Sequence, residues 1–218
     1  MPEKKISYKR ELQRKSIHLL SLSMPIVYYF QTKELVLSIL IPLACISIIL
    51  DYMSKEGKPL NKLFMKYFGL MMREHELKKM YTVNGASWVL IASVFVFLIF
   101  PKIIAITVFT ILILSDLIAA LIGRKYGKNQ LFTKSWEGTL AFIVSAWMIV
   151  IIWGLIIDAP LLFFVFGFLG SVVGGFVEAA SGVLKLDDNI SIPVSVGLVL
   201  WVGEFYAFRV GQSYIDII

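Results

Sequence analysis

The chain has 218 residues, 58% of them hydrophobic and only 17% charged, with a mean hydropathy of +0.81. A soluble domain typically holds about 45–50% apolar and about 25% charged residues, and here the excess lies in long unbroken runs, which excludes a soluble protein with a large core. The lone cysteine, Cys45, excludes a disulfide scaffold or a cysteine-ligated metal, and the net charge of +6 fits membrane topology and anionic headgroups rather than nucleic acid.

Seven apolar segments follow one another, roughly 16–32, 35–53, 84–100, 102–123, 137–157, 160–180 and 191–210. They predict an all-α, polytopic bundle of about seven transmembrane helices, forming a single membrane domain over 1–218. The first is the weakest: Leu19 to Phe30 rises only about 18 Å against a hydrocarbon core of about 30 Å. It follows a long basic region and lacks a small-x-small cleavage site, so it is expected to be a retained helix rather than a signal peptide.

Lys and Arg set the orientation. Before, between and after the seven segments they number six, one, seven, one, four, none, one and one, so alternate connections total 18 against 3. The bias predicts a cytoplasmic N-terminus and a C-terminus on the opposite side. In the second cytoplasmic connection Leu60, Leu63, Phe64, Tyr67, Phe68 and Met71 recur at helical spacing, with Lys62, Lys66 and Arg73 elsewhere. That pattern predicts an amphipathic helix in the cytoplasmic interface.

The unusual polar residues collect on the cytoplasmic side. Glu11, Lys15 and His18 share one helix face, although alone this reads as a charged helix end. Thr82–Ser87 opens the third span with small and hydroxyl residues, which cap a helix or offer backbone N–H groups to an anion. Asp116 lies about two turns inside the fourth span, where an ionised carboxylate is costly and functional by default. It shares a face with Ala119, Ala120 and Gly123. The loop that follows carries two glycines, Arg124, Lys125, Lys128 and Lys134, then Ser135 and Glu137: flexible backbone with cations, as a polyphosphate requires. The Walker spacing and the protein-kinase signature set are absent. Glu178, Asp187 and Asp188, followed by Asn189, place three carboxylates within eleven residues, an oxygen-ligand set suited to Mg²⁺. Gly167, Gly170, Gly174 and Gly175 are expected to serve helix packing, and Asp51 and Glu204 to be interfacial.

With these motifs in hand, the sequence resembles the CTP-dependent lipid-alcohol kinases: dolichol or polyprenol kinase, phytol kinase and CTP-dependent diacylglycerol kinase, relatives of phosphatidate cytidylyltransferase. The carriers are E-x-x-R-K-x-x-H at Glu11–His18, T-x-x-G-A-S at Thr82–Ser87, the block S-D-x-x-A-A-x-x-G-R-x-x-G-K…K-S-x-E-G from Ser115 to Gly138, and Glu178 with Asp188, Asn189 and Pro193. The late H-G-G and Asp-Arg signature of the cytidylyltransferase is missing, which favours the kinases and leaves CDP-lipid synthesis as the alternative.

The resemblance implies CTP as phosphate donor, a lipid alcohol as acceptor and Mg²⁺ as cofactor, with the site facing the cytoplasm. Catalysis would rest on Asp116, Lys134, Asp188 and His18. Gly123, Arg124, Gly127, Lys128, Lys134, Ser135 and Asn189 would bind the nucleotide, and Arg14, Lys15 and His18 the acceptor. Asp116 and Asp188 would hold the metal, with Glu137, Glu178 and Asp187 as further ligands. The group that removes the hydroxyl proton stays open between the aspartates and His18.

Overall fold

In hydrocarbon each backbone N–H and C=O has to be satisfied within its own segment, so the apolar runs of this chain fold as helices. The computed structural model describes residues 18–55, 57–62, 83–184 and 186–217. A 3₁₀ turn, Leu20–Leu22, leads into α1 (Ser23–Phe30). Then come α2 (Lys33–Met53), α3 (Gly85–Ile99), α4 (Lys102–Tyr126), α5 (Trp136–Ile156), α6 (Leu161–Leu184) and α7 (Asp188–Arg209).

Polar caps fix where several of these helices begin. Thr32 Oγ1 accepts from Leu35 N at 3.4 Å ahead of α2, and Asn84 Oδ1 from Ser87 N at 2.9 Å ahead of α3. Ser135 Oγ accepts from Gly138 N at 3.2 Å and Asp187 Oδ1 from Asn189 N at 3.0 Å, opening α5 and α7. Five helices, α2 and α4 to α7, are long and apolar enough to cross a membrane. The stretches Leu20–Phe30 and Gly85–Ile99 are apolar but shorter, so five of the seven expected segments reach that length among the described residues. The expected amphipathic helix lies largely outside the described residues.

Burial singles out α4. In its apolar window 78% of the residues are buried, against 22% in α2, and every residue from Ile103 to Ile113 is buried. A helix apolar all round belongs in the centre, and α1, α5 and α7 pack around it. The glycines of α6 let its neighbours approach: a Cβ on Gly174 would lie 2.6 Å from Val196 Cγ2 of α7, and one on Gly175 2.6 Å from Ile143 Cγ1 of α5.

Between α4 and α5 the sequence predicts a plain loop. The chain instead forms a two-residue-stranded hairpin, β1 (Gln130–Leu131) against β2 (Lys134–Ser135), with Gln130 opposite Ser135 and Leu131 opposite Lys134. Its turn holds Phe132 at φ +51°, a conformation uncommon outside glycine. Thr133 Oγ1 donates to Ala179 O at 3.2 Å, which ties the hairpin to α6.

Asp51 and Glu204, expected at the interface, are both buried. Asp51 Oδ1 accepts from Lys55 Nζ at 3.0 Å and from Asn84 Nδ2 at 2.9 Å, while Oδ2 accepts from Asn84 N at 3.0 Å. This network joins the end of α2 to the start of α3. Glu204 accepts from Ser213 Oγ at 2.6 Å and from Tyr214 N at 2.9 Å, holding the tail after α7 against the bundle. Pairing with polar neighbours is what makes each buried charge tolerable.

Candidate active site

The hairpin turns Lys134 away from the loop and toward the helix ends. Its Nζ donates to Glu178 Oε1 of α6 at 2.7 Å and to Asp188 Oδ2 of α7 at 3.4 Å. Glu178 is 2% exposed and Asp116, on α4, is 6% exposed. Burial alone lowers the lysine pKa, but Asp188, Glu178 and Asp116 together outweigh it and hold the ammonium above the ordinary lysine range. Four segments distant in sequence therefore meet at one cation.

Around this centre the backbone is drawn tight. A Cβ on Gly127 would collide with Gly123 O and come within 2.7 Å of Ser135 Oγ. One on Gly138 would lie 3.1 Å from Ala119 O and 3.2 Å from Gly123 Cα. At Gly127 there is no room for a side chain, and at Gly138 one would have to push its neighbours aside. The end of α4, the loop and the start of α5 thus form one continuous surface, and Arg124 and Lys128 are exposed along it.

The remaining predicted residues divide. Glu137 Oε1 accepts from Asn129 N at 3.3 Å, holding the loop to the start of α5. Asp187 caps α7 and its Oδ1 also accepts from Asn189 Nδ2 at 2.8 Å, which holds both side chains at the start of the helix. His18 is half-buried and precedes α1, which packs on α4. Arg14 and Lys15 lie outside the described residues, as does Thr82. The rest of the Thr82–Ser87 motif serves as a helix cap locked by Asp51.

Among the described residues no group of three or more His, Cys, Asp or Glu forms a metal cage. However, Glu178 Oε2 and Asp188 Oδ1 are buried without a hydrogen-bond partner, while the other oxygen of each faces Lys134. Mg²⁺ is commonly held by one or two carboxylates together with substrate phosphates, and two open oxygens fit that mode. Sequence reasoning missed Thr139 and Ser191, whose buried hydroxyls also lack partners. Ser191 follows Asp188 by one turn, a signal that helical spacing carried.

The chain is 29% identical over 193 residues to an uncharacterised protein of Rickettsia prowazekii, covering 85% of this chain and 90% of that protein. It is 31% identical over 101 residues to the phytol kinase of a Synechocystis strain, covering 41% of this chain and 40% of that enzyme. It is 31% identical over 157 residues to CTP-dependent diacylglycerol kinase 1 of Schizosaccharomyces pombe, covering 65% of this chain and 68% of that enzyme. No family profile and no solved structure matches.

Proposed function

We propose that this chain, which belongs to the family of CTP-dependent lipid kinases, transfers the γ-phosphoryl group of CTP to the hydroxyl of a membrane lipid alcohol: a polyprenol, a phytol-like isoprenoid or diacylglycerol. The observation that carries the reading is the meeting of Lys134 with Glu178, Asp188 and Asp116 beside the Gly123–Gly127 backbone. Phosphoryl transfer depends mainly on positioning and charge neutralisation, and this arrangement supports both.

Arg124, Lys128 and Lys134 bind the triphosphate, with Gly123, Gly127, Ser135 and Asn189 completing its hydrogen bonds. Asp116, Glu178 and Asp188 would hold Mg²⁺, with Glu137 and Asp187 in support; when bound, the ion neutralises charge on the phosphoryl group. The alcohol oxygen attacks the γ-phosphorus, the bond to the β–γ bridging oxygen breaks, and CDP leaves. Asp116, Asp188 or His18 accepts the hydroxyl proton, and Arg14, Lys15 and His18 are assigned to the acceptor. The distribution of Lys and Arg supports a site on the cytoplasmic face, with the N-terminus on that side and the C-terminus across the membrane.

The test is a product assay on purified protein in detergent. It uses Mg²⁺, a pool of farnesol, phytol, undecaprenol, dolichol and diacylglycerol, and CTP labelled at either the γ or the α phosphate. Lipid carrying only the γ label is the expected result, and its identity names the acceptor. Lipid carrying the α label would mean CDP-lipid synthesis instead.

A further inference from the structure

Six buried side-chain oxygens without a hydrogen-bond partner come from four helices at the Lys134 end: Ser115 Oγ, Glu137 Oε2, Thr139 Oγ1, Glu178 Oε2, Asp188 Oδ1 and Ser191 Oγ. Buried polar groups are ordinarily satisfied, so a concentration of exceptions calls for an occupant. Ser115 and Thr139 are the most telling, because both are fully buried. Helical hydroxyls usually turn back to a carbonyl one turn earlier. Elsewhere in this protein they do: Thr110 donates to Ile106 O at 2.8 Å, Ser145 to Ala141 O at 2.7 Å and Ser171 to Gly167 O at 2.8 Å. Thr107 shares the lack of a partner, but it stands more than two turns from Ser115 along α4.

Packing brings the two hydroxyls toward one space. Gly138, which precedes Thr139, abuts Ala119, one turn beyond Ser115. On the other side, a Cβ on Gly175 would lie 3.5 Å from Thr139 O, and Glu178 follows Gly175 by one turn. The hydrogen-bonding pattern of this space selects its ligand. Ionised carboxylates only accept hydrogen bonds, whereas a serine or threonine hydroxyl can donate. An alcohol hydroxyl matches both, donating to a carboxylate oxygen and accepting from Ser115 or Thr139, and it brings no further charge to two fully buried side chains. An apolar groove lined by Leu22, Ile26, Leu114, Ile149 and Trp153 reaches Leu114, the neighbour of Ser115, and suits a hydrocarbon chain.

We propose that Ser115 and Thr139 seat the hydroxyl of the lipid alcohol on the α4–α5 side of the Glu178–Asp188 pair, whose open oxygens are left to the metal, with its chain directed along the groove between α1, α4 and α5. The proposal rests on the kinase reading and assigns the acceptor half of the site. The test uses whichever alcohol of the pool the wild-type protein phosphorylates, with Thr139→Val, Ser115→Ala and Thr139→Ser. The KM for the alcohol should rise roughly tenfold in the first two variants, the loss of one hydrogen bond. The KM for CTP should hold, and Thr139→Ser should recover wild-type behaviour. An unchanged alcohol KM in the folded variants overturns the placement, including where only thermal stability moves, as filling by a structural water would give. Should Thr139→Val not fold, Ser115→Ala is judged by the same criterion. Wild-type protein that phosphorylates no alcohol at all overturns the kinase reading itself.

Discussion

Lys134 and Glu178 stand 44 positions apart in the chain, yet their charged atoms lie 2.7 Å apart. The hairpin delivers the lysine from one side and α6 delivers the carboxylate from the other. Glu178 is almost wholly buried while a third of the Lys134 side chain is exposed, so the pair is a buried anion held by a partly exposed cation.

Lys134→Ala leaves the Glu178 carboxylate buried without its partner. For a fully buried pair that loss is large, but the exposure of the lysine reduces it, and about 1–3 kcal/mol of destabilisation is expected. Adding Glu178→Gln should restore much of the lost thermal stability without restoring phosphoryl transfer. Unfolding in detergent and the γ-label assay, run on both variants, separate the two roles.

Asp116→Asn keeps the volume of the side chain and removes one of three crowded negative charges. The fold should tolerate it, with an unfolding temperature within a few degrees of wild type. Turnover should fall by roughly 100-fold or more, the scale of losing one preorganised electrostatic group at a reacting centre. Wild-type turnover in a folded Asp116→Asn protein would take the residue out of the site.

Gly127→Ala drives a methyl group into Gly123 O and Ser135, which are backbone and a cap and have little room to yield. The variant should lose nucleotide affinity through displacement of the loop. Gly170→Ala is the contrasting case, since its nearest neighbour is a Val196 methyl at 3.1 Å. It should retain CTP binding, as measured by equilibrium titration with labelled nucleotide.

Tyr214 closes the opposite end of the bundle. Its hydroxyl donates to Leu200 O, and burial, followed by the Glu204 charge, pushes the phenol above its ordinary value of 10. A raised acid pKa means that the fold favours the neutral phenol. Its contribution is therefore complete below pH 10 and is lost as pH climbs through the higher folded value. Tyr214→Phe should cost about 1 kcal/mol through the loss of one buried hydrogen bond, the Leu200 carbonyl keeping its helical partner, with both substrate KM values unchanged. Phenolate absorbance during alkaline titration should show the wild-type residue ionising only as the protein unfolds.

Much of the candidate site is legible in the sequence. Asp116 is conspicuous because a carboxylate two turns inside an apolar run has no inexpensive reason to be there. Lys134, Glu178 and Asp188 each sit where an apolar segment meets a polar one, at helix ends that alternate topology brings to the same side. The hairpin escaped notice because strands of two residues are too short to leave a period in the sequence. The burial of Asp51 and Glu204 is not legible for a related reason: each lies near a helix end, and only Asn84 and the 213–214 tail cover them.

The sequence by itself determined the membrane class, the succession of apolar helices and the end of the bundle that carries polar chemistry. These follow from length, hydropathy and charge, which act locally and survive without knowledge of neighbours. The tertiary structure alone decided which carboxylates share Lys134, how tightly the Gly127 loop closes on Ser135, and which hydroxyls are left without a partner. Those depend on distances between residues tens of positions apart, and they are fixed by how helices pack around α4 rather than by any segment alone.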